Sequence, residues 1–366
     1  MADKQVTLVV GARPNFMKAA PLLNALRSAG GVVVRLIHTG QHFDSDMSEV
    51  FFDQLHLPKP DAYLNINTGN PANQMARVIL SLHEQFSQFK PGLVIVFGDV
   101  NSTLATAVVS NKMDLPLAHV EAGLRSFDRS MPEENNRILT DMLADFLFTP
   151  SPDADQNLLD EGLSADSIYR VGNIMVDSLL SLRPMAAELG TYKGFGKKKS
   201  EYALVTLHRA ANVDEPTALK EIVSALEEIG KLIPVLFPVH PRTKAQLQRM
   251  KLESKLAGSG VDLVGPLSYL EFLNLMMNAR VVLTDSGGIQ EETTVLGIHC
   301  LTLRENTERP VTLAEGTNRL VGTKKAGILN GFQKVLKEEI PQGRKPELWD
   351  GKTAERIVHI LRKYWN

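Results

Sequence analysis

The chain has 366 residues, 43% of them hydrophobic and 22% charged, with 26 glycines and 19 prolines. These proportions exclude collagen-like, low-complexity and intrinsically disordered classes, and at about 100 to 200 residues per domain the length points to two domains. Forty Lys and Arg against 42 Asp and Glu leave a formal charge of −2, so there is no global positive field to recruit nucleic acid or an anionic membrane, and any bound anion has to be held locally.

In chain order, residues 6–10 predict a strand, 21–27 a helix and 32–37 a second strand. The alternation continues with a strand at 93–97, a helix at 103–110, strands at 116–120 and 146–148, a helix at 153–159 and a closing segment at 168–173. β-branched runs followed by helices predict parallel strands with crossover helices, an α/β doubly wound sheet. Residues 189–200, with Gly-Thr-Tyr-Lys-Gly-Phe-Gly followed by three lysines, are the most linker-like stretch. Beyond it the alternation resumes with strands at 202–207, 235–239, 281–283 and 298–303, and a helix at 218–232. The final stretch, 354–364, is amphipathic, with Ile357, Val358, Ile360 and Leu361 apolar. Two such halves make an interdomain cleft, beyond the carboxyl ends of the strands, the expected site.

No apolar run approaches the roughly 18 residues needed to span a bilayer, and residues 1–11 lack a long apolar core, so a soluble, non-secreted chain is expected. Cys300, the single cysteine, cannot form an intramolecular disulfide; it fits a reducing cytoplasm and is read as a small buried hydrophobe.

The sharpest local feature is Thr284-Asp285-Ser286-Gly287-Gly288 at a strand end, entering a helix near Ile289. Two glycines let the backbone approach a ligand, and the first helical N–H groups and the helix dipole favour a diphosphate, with Glu292 one turn on, in reach of a ribose diol. The same residues also suit a plain tight turn with Asp285 or Ser286 as N-cap. A matching loop, Gly11-Ala12-Arg13-Pro14, opens the first half; Arg13 and Lys18 suit phosphate neutralisation, though taken alone they suit a solvated basic loop with Pro14 at the helix start somewhat better.

Acidic groups gather at strand ends: Asp99 after 93–97 and Glu121 after 116–120. Glu133 and Glu134 open a helix at Pro132, where dipole complementarity and an Arg137 pair explain them without chemistry. His42, His208 and His240 each stand at or just past a strand end. His38 and His42 have a four-residue spacing, but Gly40 between them argues for a loop, and no zinc motif is present, so hydrogen bonding to phosphate or sugar ranks above a metal, and none is expected. No Gly-x-Gly-x-x-Gly, Gly-x-Ser-x-Gly or P-loop pattern occurs, which removes the usual arguments for dinucleotide redox, serine hydrolysis or ATP hydrolysis.

Gly11-Ala12-Arg13-Pro14 with Lys18, Gly98-Asp99, the 119–125 block His-Val-Glu-Ala-Gly-Leu-Arg, Pro132-Glu133-Glu134 with Asn136-Arg137, the 284–292 block, Thr307-Glu308-Arg309-Pro310 and Glu315-Gly316-Thr317 run nearly end to end. In these the chain resembles the non-hydrolysing UDP-N-acetylglucosamine 2-epimerases. The resemblance implies a GT-B-type fold of two Rossmann-like domains, 1–172 and 173–351, with the C-terminal helix at about 352–366 packing back on the first, in a cytoplasmic homodimer that needs no cofactor. It implies UDP held by Ser286, Gly287, Gly288, Glu292 and Phe272, with Arg309, His208, Arg13 and Lys18 around the phosphates. Asp99, Glu121 and Glu133, with His208, correspond to the catalytic set. The implied reaction is reversible C2 epimerisation of UDP-N-acetylglucosamine to UDP-N-acetylmannosamine, or of a modified UDP-sugar; a hydrolysing epimerase and a non-catalytic nucleotide-sugar-binding module are the alternatives. Some relatives are activated by a second UDP-N-acetylglucosamine through residues like Gln41, His42, Arg209 and His240. Here Asn15 stands where the family usually has Glu, the stretch before Pro132 is shorter, and Ala210-Ala211 replaces the family's Arg-Glu.

Overall fold

The computed structural model describes residues 4–40, 57–66, 70–338 and 345–365. Two compact units divide the chain: Met1–Ser181 with Glu347–Asn366, and Leu182–Pro346.

Among the described residues, unit 1 is built on seven parallel strands, β1 (Lys4–Val10), β2 (Val32–His38), β3 (Ala62–Tyr63), β4 (Leu93–Phe97), β5 (Leu117–Val120), β6 (Phe146–Thr149) and β7 (Ile168–Arg170). Their order is β3-β2-β1-β4-β5-β6-β7. Every residue of β4 is 0% exposed, because helices cover both faces of the sheet; its sequence is therefore an unbroken apolar run rather than an alternating one. Successive strands are added outward from β1 in one direction and from β4 in the other. The connections leaving β1 and β4 diverge, and their carboxyl ends frame a crevice at this switch point.

Unit 2 repeats the plan with β8 (Ala203–Thr206), β9 (Val235–Pro238), β10 (Val261–Val264), β11 (Val281–Thr284), β12 (His299–Thr302) and β13 (Asn318–Leu320). The order β10-β9-β8-β11-β12-β13 puts its switch point between β8 and β11. Leu219, Ile222, Leu226 and Ile229 of helix Pro216–Gly230 form one buried stripe, and the helix packs against β9 and β10.

Three features differ from the sequence reading. The first helix runs Arg13–Ala29 and contains Pro21, starting directly after Ala12 rather than at residue 21. Residues 189–200 are no free linker: they form a helical turn at Thr191–Gly194, the Tyr192 N–H donates to Asn274 Oδ1 at 3.2 Å, and Ser200 donates to the Asn278 carbonyl at 2.8 Å, all within unit 2. The two units divide between Ser181 and Leu182, inside helix Ile174–Glu188, where the resemblance implied 172–173.

The C-terminal helix Thr353–Trp365 lies in unit 1 against helix Arg13–Ala29, with Ile357 and Leu361 fully buried. Its first turn is capped from elsewhere in the chain: the Asp177 carboxylate accepts the N–H groups of Thr353 at 3.2 Å and Ala354 at 2.9 Å. Trp349, 1% exposed, donates its indole N–H to the Pro150 carbonyl at 2.9 Å.

At the carboxyl end of β2, His38 is 2% exposed and stacked between Phe16 and Tyr63, with ring centroids 4.9 and 4.8 Å away. Burial lowers its pKa from 6.5 to about 4. Over that interval the unfolded chain takes up a proton that the folded unit excludes. Stability present above pH 6.5 is therefore lost as pH falls toward 4, by up to about 3 kcal/mol. His38→Phe keeps a stacked ring that cannot titrate, so denaturant unfolding at several pH values should show a flatter slope in the variant. An unchanged slope would remove His38 as the cause.

Candidate active site

In unit 1 the switch point joins the loop after β1 to the end of β4. Asn15 Oδ1 accepts the N–H groups of Gly11 and Ala12, each at 3.1 Å, and its amide donates to the Phe97 carbonyl at 3.0 Å. On the same helix Lys18 ion-pairs with Glu121 at the end of β5, their side chains 8% and 7% exposed. Both press on Gly98, where an added Cβ would stand 2.8 Å from Lys18 Nζ and 3.0 Å from Glu121 Oε2, and where φ is +62°. A side chain there would be strained and would push on the Lys18–Glu121 pair. Glu121 itself has φ +74°, a strained conformation for a residue with a side chain, costing on the order of 1–3 kcal/mol; such strain clusters at functional sites. The consecutive N–H groups of Glu121 and Ala122 hold it by converging on the Phe148 carbonyl, at 3.0 and 3.1 Å.

Helix Pro132–Leu143 supports Asp99, the residue after Gly98. Asn136 donates to the Asp99 carbonyl at 2.9 Å, and the Arg137 guanidinium ion-pairs with the Asp99 carboxylate while donating to Glu134 Oε2 at 2.8 Å. Glu134, 1% exposed, also accepts the N–H groups of Ser126 and Phe127, at 2.9 and 2.8 Å. Glu133 is exposed in the first turn. The Arg137 pair expected at this helix start thus forms with Glu134. Behind the turn, His119 is fully buried, with Nδ1 2.6 Å from Asp141 Oδ1 and Nε2 2.8 Å from the Gly98 carbonyl. Burial acts to raise the Asp141 carboxyl, but His119 and Arg125 hold it below the usual carboxylate range, so an ionised group anchors the Gly98 turn from below.

In unit 2 the switch point brings His208 and Arg209 beside Asp285 and Ser286. Asp285 is 0% exposed and accepts the backbone N–H of His208 at 3.2 Å, that of Arg209 at 3.0 Å and the Asn212 amide at 3.2 Å, with His208 Nδ1 at 3.1 Å. Burial acts to raise its pKa; the His208 ring and these N–H groups overcome that and lower it. The His208 side chain remains 45% exposed, held by Nδ1 with the rest of the ring toward solvent. The His240 ring lies 6.4 Å from it, and its pKa is lowered by burial, then by His208 and Arg242; His240 Nδ1 accepts the Arg242 N–H at 3.2 Å.

Ser286 takes the N-cap position of helix Gly287–Leu296 but makes no side-chain cap bond, and Asp285 is committed to the β8 loop. The plain-turn reading therefore loses both of its capping groups, and the helix start is left free of side-chain caps. Arg309 lies over it: a Cβ on Gly287 would stand 2.7 Å from Arg309 Nη1. The guanidinium is gripped by Glu291, 2.7 Å from Nε, and Glu308, 2.6 Å from Nη1. Glu308 also meets Arg304 at 2.8 Å and Arg209 at 3.3 Å. Three guanidiniums, of Arg209, Arg304 and Arg309, thus gather with the carboxylates of Glu291, Glu308 and Asp285 beside a helix N-terminus, whose dipole favours an anion. Glu292, 3% exposed, receives the Tyr269 hydroxyl at 2.9 Å; Phe272 is half-buried on the same helix as Tyr269.

Unit 1 thus gathers Lys18, Asp99 and Glu121, and unit 2 gathers His208, Arg209, Ser286, Gly287, Gly288 and Arg309. The expectations for Gln41, His42 and the side chain of Arg13 lie outside the described residues.

Residues 24–362 match the family model described as UDP-N-acetylglucosamine 2-epimerase. The chain belongs to this family. It is 40% identical over 363 residues to UDP-N-acetylglucosamine 2-epimerase of Methanocaldococcus jannaschii, covering 98% of each chain. It is also 40% identical over 365 residues to the UDP-2,3-diacetamido-2,3-dideoxy-D-glucuronate 2-epimerase of Pseudomonas aeruginosa, covering 98% of this chain and 99% of that one. The crystal structure of the Methanocaldococcus jannaschii enzyme in complex with UDP-GlcNAc and UDP superposes with a TM-score of 0.90, covering 98% of this chain and 99% of that one. The family's GT-B-type pair of Rossmann-like domains accounts for the two parallel sheets.

Sequence reasoning gave no specific supporting role to several residues that hold these turns. Glu134, Arg137 and Asp141 form a buried helical stripe, and that spacing was a usable signal for preferring Glu134 over Glu133 as the structural acid. Nothing local distinguished Arg304 and Tyr269 from ordinary residues, and His119 stood in the 119–125 block with no role of its own.

Proposed function

We propose that the protein interconverts UDP-N-acetylglucosamine and UDP-N-acetylmannosamine, or a closely related modified UDP-sugar, by eliminating UDP to a glycal and adding it back. The observation that carries this reading is the helix start at Gly287–Gly288, bare of side-chain caps and roofed by Arg309, which suits a diphosphate. The Pseudomonas aeruginosa relative, named for a diacetamido-dideoxy-glucuronate, supports a modified sugar as an option.

Inversion at C2 without redox chemistry requires one group to remove the C2 proton and another to return a proton to the opposite face. Asp99, Glu121 and Glu133 are the proposed proton-handling carboxylates. Arg309, Lys18, Arg13 and His208 stabilise the charge that develops on the departing diphosphate. Ser286, Gly287 and Gly288 hold the diphosphate, Glu292 the ribose and Phe272 the uracil. Gln41, His42, Arg209 and His240 are retained as a candidate second UDP-sugar site. No helix among the described residues is long and apolar enough to cross a membrane. Buried Cys300 suits a reducing cytoplasm, and a homodimer is the proposed assembly.

In heavy water, proton NMR should show deuterium entering C2 of both epimers as they interconvert. Product formed with C2 unlabelled would reject elimination. Phosphorus NMR run alongside separates the hydrolysing reaction, which would accumulate free UDP in step with free sugar.

A further inference from the structure

Helix Tyr269–Asn278 begins with a capping box: Ser268 N–H and hydroxyl both donate to Glu271 Oε2, at 2.8 and 2.7 Å, which fixes the orientation of the first turn. Tyr269, the first residue of that turn, is half-buried and donates its hydroxyl to Glu292 Oε1 at 2.9 Å. Glu292 is 3% exposed on helix Gly287–Leu296, one turn beyond the glycine pair. A carboxylate presents two oxygens, and the two hydroxyls of a vicinal cis-diol are the donors that match them. A phenol that holds one of these oxygens adds a directional constraint on the carboxylate plane.

We propose that Tyr269 is a positioning residue for nucleoside selectivity: by orienting Glu292 it makes the site discriminate ribonucleotides from 2′-deoxyribonucleotides. This rests on the nucleotide-binding reading above and deepens it. The selectivity comes from a buried acceptor that loses its donor when the 2′-hydroxyl is missing, a loss that costs more than an exposed bond would.

The test is calorimetric titration of the full chain with UDP and 2′-deoxy-UDP. The wild type should prefer UDP by on the order of ten- to a hundredfold, the range for a hydrogen bond to a charged group. Tyr269→Phe removes one oxygen and keeps the ring; UDP should weaken by about tenfold and deoxy-UDP hardly at all, which closes most of the gap. Glu292→Gln should close it as well. In the double variant Tyr269→Phe should add nothing further, since it acts through the carboxylate. Equal weakening of both nucleotides in Tyr269→Phe, additive losses in the double variant, or a wild type that does not distinguish the nucleotides would each overturn the inference. A wild type that binds neither nucleotide would instead reject the proposed function, and this inference with it. Should Tyr269→Phe fail to fold, the wild-type preference and Glu292→Gln still decide whether the carboxylate reads the diol.

Discussion

Glu121→Gln is expected to lower kcat by about 10²- to 10⁴-fold, the usual contribution of a positioned acid or base, while leaving UDP affinity within about threefold. The amide keeps the shape of the side chain and its φ of +74°, so the turn itself can persist. It cannot accept a proton from carbon. The change also leaves the Lys18 ammonium, 8% exposed, without its partner, and loss of one member of a buried pair costs on the order of 3–5 kcal/mol. Thermal unfolding must therefore be run beside the kinetics, and turnover compared well below the variant's transition. UDP affinity falling in proportion to kcat would assign Glu121 to binding or folding instead.

Asp285→Ala should be the most damaging change in the proposed nucleotide half-site. It leaves two backbone N–H groups, the Asn212 amide and His208 Nδ1 facing an empty space where a fully buried carboxylate stood. Several donors losing one ionised acceptor should cost about 3–5 kcal/mol and release the His208-Arg209 turn, so UDP binding should weaken with it. The same group sets an acid limit. Its pKa lies below the ordinary 3.8, so its contribution is complete above that value and disappears as pH falls through the lower, folded-state pKa. Denaturant unfolding above and below pH 4 checks this: the difference between wild type and variant should shrink in acid. A variant that unfolds like the wild type at neutral pH would show that the donors find water or another partner.

How much of this was legible in the chain depended on where each element sits. The reading of 93–97 coincides with β4, Leu93–Phe97, because a central parallel strand buried on both faces has no polar residue to blur its ends. β3, β10 and β13 escaped notice for the opposite reason: all three are sheet edges. They are short and half-polar, as Asp262 and Arg319 illustrate, so no apolar run marks them. The Gly287–Gly288 turn was readable because strand end, glycines and helix start are consecutive in the sequence. What held it in place was not. Asp285 meets His208 from 77 residues away, and Lys18 meets Glu121 from 103, contacts that exist only once the strand order is known. The carboxylates could be nominated by type, but choosing between Glu133 and Glu134 required burial.

The capping of Thr353 and Ala354 by Asp177, with Trp349 lodged beneath the Pro150 carbonyl, makes unit 1 discontinuous in the chain. On the ribosome, which makes protein from the N-terminus at about 5–20 residues per second, unit 2 emerges whole while unit 1 still lacks its last helix. Strands β1 to β7 are made with the surface later covered by Ile357 and Leu361 bare, until helix Thr353–Trp365 follows. Unit 1 is therefore completed after unit 2, although most of it is made before, and exposure during synthesis falls on the half that carries the proposed proton-handling acids.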